Sequence, residues 1–332
     1  MRELIENFPI QIKEACEALK NLDSTLHDSE AKGFNPNGVL ILGMGGSGIG
    51  GAFIASILKE TSKIPIQINP DYIIPGWVTN NTLVIACSNS GNTEETLKSA
   101  FEAQKRNAKI ACVTSGGKLE ELAAKDGWPI VKVPAGFPPR SQFAHSFLSL
   151  AWTLVRFGVF PNHLYMELEA THLSTQENKP NVEQRAETVA DLIKGKTIHL
   201  YSDTNAECIV TRWRQQLNEN SKLLVNSQAF PELNHNELVG WASGGENDVV
   251  IIIRTPEDTK RTQARMDITA EIFQEIGANV VFIDPDGENQ MQRLMDLVFL
   301  GDFLSLILAE RAGVDPVEID YINRLKDRLS EI

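Results

Sequence analysis

The chain has 332 residues, 42% of them hydrophobic, and a formal net charge of −13. That length suits two domains better than one, and the apolar fraction is enough to bury a core, which excludes a wholly disordered chain. The acid excess argues against nucleic-acid binding, for which a basic face is expected, yet leaves a phosphorylated metabolite open, because local donors can outweigh global charge.

From the N-terminus, Met1-Arg-Glu-Leu-Ile-Glu6 lacks the apolar core of a signal peptide,. Residues 1–30 read as an amphipathic helical segment, and 31–158 as a first domain. In that domain Val39–Leu42, Ile64–Ile68, Thr82–Cys87, Lys109–Thr114 and Pro129–Val133 read as strands,. They alternate with helical patterns over Ile49–Lys59, Thr93–Arg106 and Leu119–Lys125, and a long apolar helix runs to about Phe157. Residues 159–183 are polar, contain Pro161 and Pro180, and read as an interdomain connection with some helix,.

The alternation resumes over 184–332, with strands at Thr197–Tyr201, Leu223–Val225, Asp248–Ile253 and Asn279–Asp284. Helices are expected at Asn205–Asn218, Glu257–Ile276, Gln290–Ala312 and Val317–Leu329. The run Leu297–Ala309 is interrupted by Asp302 and too short to span a membrane, so it reads as a buried helix and the chain as cytoplasmic,. Strand–helix alternation implies an α/β fold with parallel sheets between helices, which bind ligands at the carboxyl ends of their strands.

Two such ends are unusual. Gly43-Met-Gly-Gly-Ser-Gly-Ile-Gly-Gly51 and Ser88-Asn-Ser-Gly-Asn-Thr-Glu-Glu95 each follow an apolar run and precede a helical pattern. Glycines let backbone N–H groups approach an anion, a helix N-terminus adds partial positive charge, and hydroxyls add donors. With no lysine or arginine in either, they suit a small anion. The first also fits G-x-G-x-x-G, a weak dinucleotide signal taken alone, and Thr93 is equally a helix cap.

Other candidates stand apart. Arg140 follows two prolines and is a cation on a stiff segment, or simply a surface charge,. Glu219 ends an amphipathic helix, where solvated glutamates are common. His235, between two asparagines, is either an acid/base group or a loop hydrogen-bonder,. His27 and His172 lie in polar segments and His199 in a strand, with no metal-ligand spacing,. The four cysteines form no C-x-x-C pair and read as buried thiols of a reduced protein; Cys87 precedes the second cradle but belongs to an apolar strand,.

Gly45–Gly51 with Ser88–Glu95 resembles the sugar-isomerase (SIS) domain signature. With Pro138-Pro-Arg-Ser141, Asn218-Glu-Asn220 and Pro231-Glu-Leu-Asn-His-Asn-Glu237, in matching order along nearly the whole chain, it resembles the bifunctional phosphoglucose/phosphomannose isomerase family. The resemblance implies two SIS domains, each a parallel, flavodoxin-like β-sheet flanked by helices, with an N-terminal helix. It implies interconversion of fructose 6-phosphate with glucose 6-phosphate and mannose 6-phosphate, without a cofactor, in a homodimer where His235 reaches across the interface. Gly46, Ser47, Ser88, Ser90 and Thr93 would hold the phosphate, Arg140 the enediolate, Glu219 the shuttled proton and His235 the ring opening. Lys326, in Leu325-Lys-Asp-Arg328, is the best match to a sugar-contacting lysine. Gly48 stands where relatives often have alanine, and Asn89 where tyrosine is common; neither change removes a donor.

Three rivals remain. A non-catalytic SIS regulator would bind sugar phosphate without turnover, but usually carries a DNA-binding domain for which the N-terminal 30 residues are too short. A Rossmann oxidoreductase leaves the second cradle unexplained. A glucosamine-6-phosphate synthase fragment would need an N-terminal glutaminase cysteine, and residue 2 is Arg2.

Overall fold

The structure is a computed structural model that describes residues 1–23 and 33–331; the end of the expected N-terminal helical segment, with His27, lies outside them. The chain forms two compact units, Glu6–Glu177, and Met1–Ile5 with Asn178–Ile332.

In the first unit, α2 (Phe8–Asp23) precedes β1 (Gly38–Leu42), α3 (Gly45–Leu58), β2 (Ile66–Asn69), β3 (Thr82–Ser88), α4 (Glu94–Lys105), β4 (Lys109–Thr114), α5 (Gly117–Asp126), β5 (Ile130–Lys132) and α6 (Phe143–Arg156); the short α1 (Arg2–Glu6) begins in the other unit. The sheet order is β2-β1-β3-β4-β5 and every pairing is parallel. Strands β1 and β3 are buried along their whole length, as their unbroken apolar runs require when helices cover both faces,. Leu40, Leu42, Val84 and Ala86 pack with Ala100 and Ala103 of α4 and Leu119 and Ala123 of α5. On the other face Gly51 brings α3 against Ile41 and Ile68, where a Cβ would lie 2.9 Å from Ile41 Cγ2. There Phe53 packs on Phe143 and Phe147 of α6, with ring centroids 4.8 and 5.8 Å away.

The stretch read as a connection is mostly one 31-residue helix, α7 (Asn162–Leu192). The units divide between Glu177 and Asn178, two residues before Pro180, where proline removes a backbone donor from the helix,.

The second unit follows with β6 (Thr197–Asp203), α8 (Glu207–Ser221), β7 (Val225–Phe230), α9 (Glu237–Gly240), β8 (Asp248–Ile253), α10 (Lys260–Glu275), β9 (Asn279–Ile283), α11 (Gln290–Ala312) and α12 (Asp320–Leu329). Its sheet is parallel throughout, in the order β7-β6-β8-β9. The strand expected at Leu223–Val225 begins only at Val225, because Leu224 is 93% exposed in the preceding loop. β7 then runs through the polar Asn226, Ser227 and Gln228, which an edge strand tolerates. Helices α8 and α11 meet where Gly301 faces Trp213; a Cβ there would lie 2.3 Å from Trp213 Nε1. Asp302, the charge that interrupts the apolar run, accepts from Arg212 Nη2 at 2.7 Å inside this contact. Among the described residues no helix is long and apolar enough to cross a membrane.

Candidate active site

In the first sheet the strand order reverses between β1 and β3, and the crevice beyond the carboxyl ends of two such strands is where open α/β sheets bind ligands,. The glycine-rich stretch after β1 and the hydroxyl-rich stretch after β3 open onto this crevice, and they touch. The Asn89 backbone N–H donates to Ser47 Oγ at 3.1 Å. A third segment joins them: the 3-10 turn Pro139–Ser141 places its backbone so close to Gly46 that a Cβ there would lie 3.0 Å from Arg140 N. Arg140 itself is buried.

The second cradle is braced by the loop after β4. Ser115 donates its N–H (3.0 Å) and Oγ (2.5 Å) to the Asn89 carbonyl, and Leu119 N–H donates to the Gly91 carbonyl at 2.9 Å. Gly91 has φ +68°, and a Cβ there would stand 1.7 Å from the Gly116 oxygen. Gly117, at φ +70°, passes Ser90 so closely that a Cβ would be 2.3 Å from its carbonyl oxygen.

Helices α3 and α4 start at the two cradles, and neither Met44 nor Thr93, at their N-cap positions, caps its helix with a side chain. The first turn of α3 carries no acid, whereas that of α4 holds Glu94 and Glu95,. The Thr93 hydroxyl pairs instead with Ser88 Oγ at 2.9 Å. Ser90 is exposed, and its Oγ accepts from Asn92 N–H at 3.2 Å. Cys87 is no nucleophile here: burial, reinforced by Cys112, pushes its thiol far above the ordinary value.

The corresponding crevice of the second sheet, between β6 and β8, carries carboxylates in place of glycines. Asp203 accepts from Asn205 N–H at 2.8 Å, and Asp258 accepts from Thr255 N–H and Oγ1, both at 2.8 Å. Burial, with the neighbouring Asp203 and Glu257 charges, pushes Asp258 up to about 6.

Glu219 lies half-buried in the last turn of α8. Its backbone is held by the residues that follow it. Asn220 Nδ2 donates to Ser305 Oγ at 2.9 Å, Ser221 Oγ to the Ser305 carbonyl at 2.6 Å, and Lys222 Nζ to the Glu219 carbonyl at 2.7 Å. His235 is exposed at the end of the 3-10 turn Glu232–His235, between anchored neighbours. Lys326 is exposed on α12, which has no buried residue.

The unit Glu6–Glu177 thus gathers Gly46, Ser47, Ser88, Ser90, Thr93 and Arg140 at one end of its sheet, while Glu219, His235 and Lys326 stand on three separate elements of the other unit. Two contributors carried no signal in the sequence. Ser115 is one serine among many. Gln142 is a buried glutamine whose Oε1 accepts from Asn89 Nδ2 at 3.5 Å and whose Nε2 has no partner among the described residues. Only a register between the strand-end loops exposes either one.

An SIS-domain family model matches residues 34–125, and a model described as the bacterial phospho-glucose isomerase C-terminal SIS domain matches 182–329. A bifunctional phosphoglucose/phosphomannose isomerase of Caldicellulosiruptor bescii is 37% identical, covering 100% of this chain and 99% of its own. One of Aquifex aeolicus is 36% identical over 91% of this chain and 93% of its own. Among solved structures, the C-terminal domain of glucosamine-fructose-6-phosphate aminotransferase from Francisella tularensis shares the fold, with TM-score 0.73 and 14% identity over 96% of this chain and 98% of that one.

Proposed function

The chain belongs to the bifunctional phosphoglucose/phosphomannose isomerase family, and we propose that it interconverts fructose 6-phosphate with glucose 6-phosphate and with mannose 6-phosphate through a cis-enediol(ate). The observation that carries this reading is the junction of two strand-end cradles, each opening a helix without a side-chain cap, against the backbone of Arg140. Gly46, Ser47, Ser88, Ser90 and Thr93 are the phosphate site. Anchoring the sugar by its phosphate lets that binding energy position the reacting carbons.

Aldose–ketose isomerisation moves one proton between C1 and C2 and shifts two electrons within the sugar, so it is redox-neutral and we assign it no cofactor. His235 transfers the proton that opens the ring. Glu219 takes a proton from one carbon of the open chain and returns it to the neighbouring carbon, a single base sufficing over a planar intermediate. Return to the opposite face of C2, after rotation about C2–C3, gives the mannose product. Arg140 stabilises the developing oxyanion, an interaction strongest in the transition state. Lys326 contacts the sugar.

We assign 31–158 to the phosphate-binding SIS domain, 159–183 to the connection, and 184–332 to the domain that bears Glu219 and His235. The working form is a cytoplasmic homodimer, with His235 supplied across the interface; its exposure on a turn fits that role.

A coupled assay on purified protein, given glucose 6-phosphate and mannose 6-phosphate separately, tests the proposal. Fructose 6-phosphate is expected from both, with and without EDTA. Binding without turnover would favour the regulatory alternative, and loss of activity in EDTA would overturn the metal-free mechanism.

A further inference from the structure

The turn that carries His235 is anchored almost everywhere except at the histidine. Leu233, fully buried, plugs it into a core of Tyr201, Phe230, Trp241 and Phe273. Asn234 donates from Nδ2 to Thr269 Oγ1 at 2.9 Å and accepts from Arg265 Nη1 at 3.3 Å. Asn236 donates to Glu232 Oε1 at 2.7 Å and accepts from the Glu237 N–H at 2.5 Å. The last anchor reaches deepest: the hydroxyl of Tyr201, in the middle of β6, donates to the Glu237 carboxylate. Tyr201 is buried, and burial together with the Glu237 carboxylate raises its phenol well above the ordinary range, so it stays a donor.

We propose that Tyr201 and Glu237 are positioning residues for ring opening, clamping the His235 turn to β6, an inner strand of the second sheet. Phe230 and Phe273 pack against the Tyr201 ring at centroid distances of 6.3 and 5.8 Å, which holds the phenol oxygen in place beside the Glu237 carboxylate. Glu237 begins α9, so holding its side chain fixes where the 3-10 turn ends and the helix begins. A histidine on an exposed turn gains a defined pose only if both ends of the turn are tied. Asn234 ties the end before His235, and Glu237 ties the end after it. The role assigned to the pair rests on His235 being the ring-opening group.

The test is a mutant cycle on the full chain, read as kcat and KM for fructose 6-phosphate and as melting temperature. Tyr201→Phe and Glu237→Ala are each expected to lower kcat about 10-fold with KM within about 2-fold. Glu237→Gln, whose amide oxygen still accepts from the phenol, is expected to stay within about 3-fold of the parent. In a His235→Ala background, Tyr201→Phe is expected to add no further loss, because it acts through the imidazole. A merely structural role would lower melting temperature and cost the same activity in both backgrounds, and that result would overturn the proposal, as would Glu237→Ala with parental kcat. If Tyr201→Phe does not fold, the Glu237→Ala and Glu237→Gln pair carries the same cycle. Parental kcat in His235→Ala alone would overturn the assignment of His235 itself, an outcome distinct from failure of the clamp.

Discussion

The Asn89 backbone N–H donates to Ser47 Oγ at 3.1 Å, tying the loop after β3 to the first turn of α3. Two strand ends distant in sequence are thereby joined, and in the proposed phosphate site Ser47 would serve both as a donor to the anion and as the tie. Ser47→Ala removes the donor and strips the Asn89 N–H of its acceptor. A lost hydrogen bond to a charged ligand group is worth about 1.5–3 kcal/mol, so KM for fructose 6-phosphate should rise about 10-fold or more. Because the phosphate is bound alike in ground and transition states, kcat should change far less. Steady-state kinetics decide it; an unchanged KM would remove Ser47 from the phosphate site.

Much of this was legible in the sequence because it depends on local chemistry. Apolar runs such as Val39–Leu42 announce strands covered on both faces, and the glycines at 43–51 announce a close backbone approach. What stayed hidden depends on neighbours in space. Gly117 reads as an ordinary turn residue, yet its reason is the Ser90 carbonyl, where a Cβ would lie at 2.3 Å. Most of strand β7 lay beyond the expected Leu223–Val225, because an edge strand of Asn226, Ser227 and Gln228 needs no apolar pattern. The full length of helix α7 hid, beyond the partial helix expected there, because Pro180 and its polar neighbours look like a linker. Nothing in the spacing of Glu219, His235 and Lys326 links them: Glu219 and His235 stood out only as separate candidates, and their roles, with Lys326 itself, came from resemblance to a family.

Glu219 is the base in the proposed reaction, and its replacement gives the sharpest kinetic test. Glu219→Gln keeps size and hydrogen-bonding shape but cannot take a carbon-bound proton. General-base catalysis contributes roughly 10²–10⁴-fold, so kcat should fall at least about 100-fold with little change in KM. Exchange of the C2 proton of glucose 6-phosphate with solvent deuterium, followed by NMR, should fall in parallel. A near-normal kcat would place the base elsewhere.

Asp258 sets a pH dependence of stability. Burial foremost, then the Asp203 and Glu257 charges, raises its carboxyl from 3.8 to about 6, against the opposing pull of the Thr255 hydrogen bonds. A carboxyl that binds its proton more tightly in the folded state favours folding at low pH, and this contribution is lost as pH climbs from about 4 to about 6. Asp258→Asn removes the titration. Urea unfolding at pH 4, 5, 6 and 7 should show the stability of the parent, relative to the variant, falling between pH 4 and 6 and then levelling. A constant difference across that window would mean that Asp258 titrates normally.

Arg212 and Asp302 test whether the support of Glu219 can be separated from the chemistry. Both are buried, with Arg212 Nη2 at 2.8 and 2.7 Å from the two carboxylate oxygens and Gln216 Nε2 at 2.6 Å from one. Removing one member of such a pair leaves an uncompensated charge, which costs about 3–5 kcal/mol. Asp302→Ala should therefore lower the unfolding free energy by about that amount in urea titrations, whereas Asp302→Asn, which still accepts one hydrogen bond, should cost less. Arg212 and Glu219 sit seven positions apart on α8, two turns, so the ion pair fixes the same helix that carries the proposed base,. If it also sets the base's position, kcat of the folded Asp302→Asn variant should fall while KM holds, since a small displacement of a general base weakens proton transfer more than binding. Lost stability with parental kcat would mean that Asn220 and Ser221, bonded to Ser305, suffice to place Glu219, and that the buried ion pair serves the fold alone.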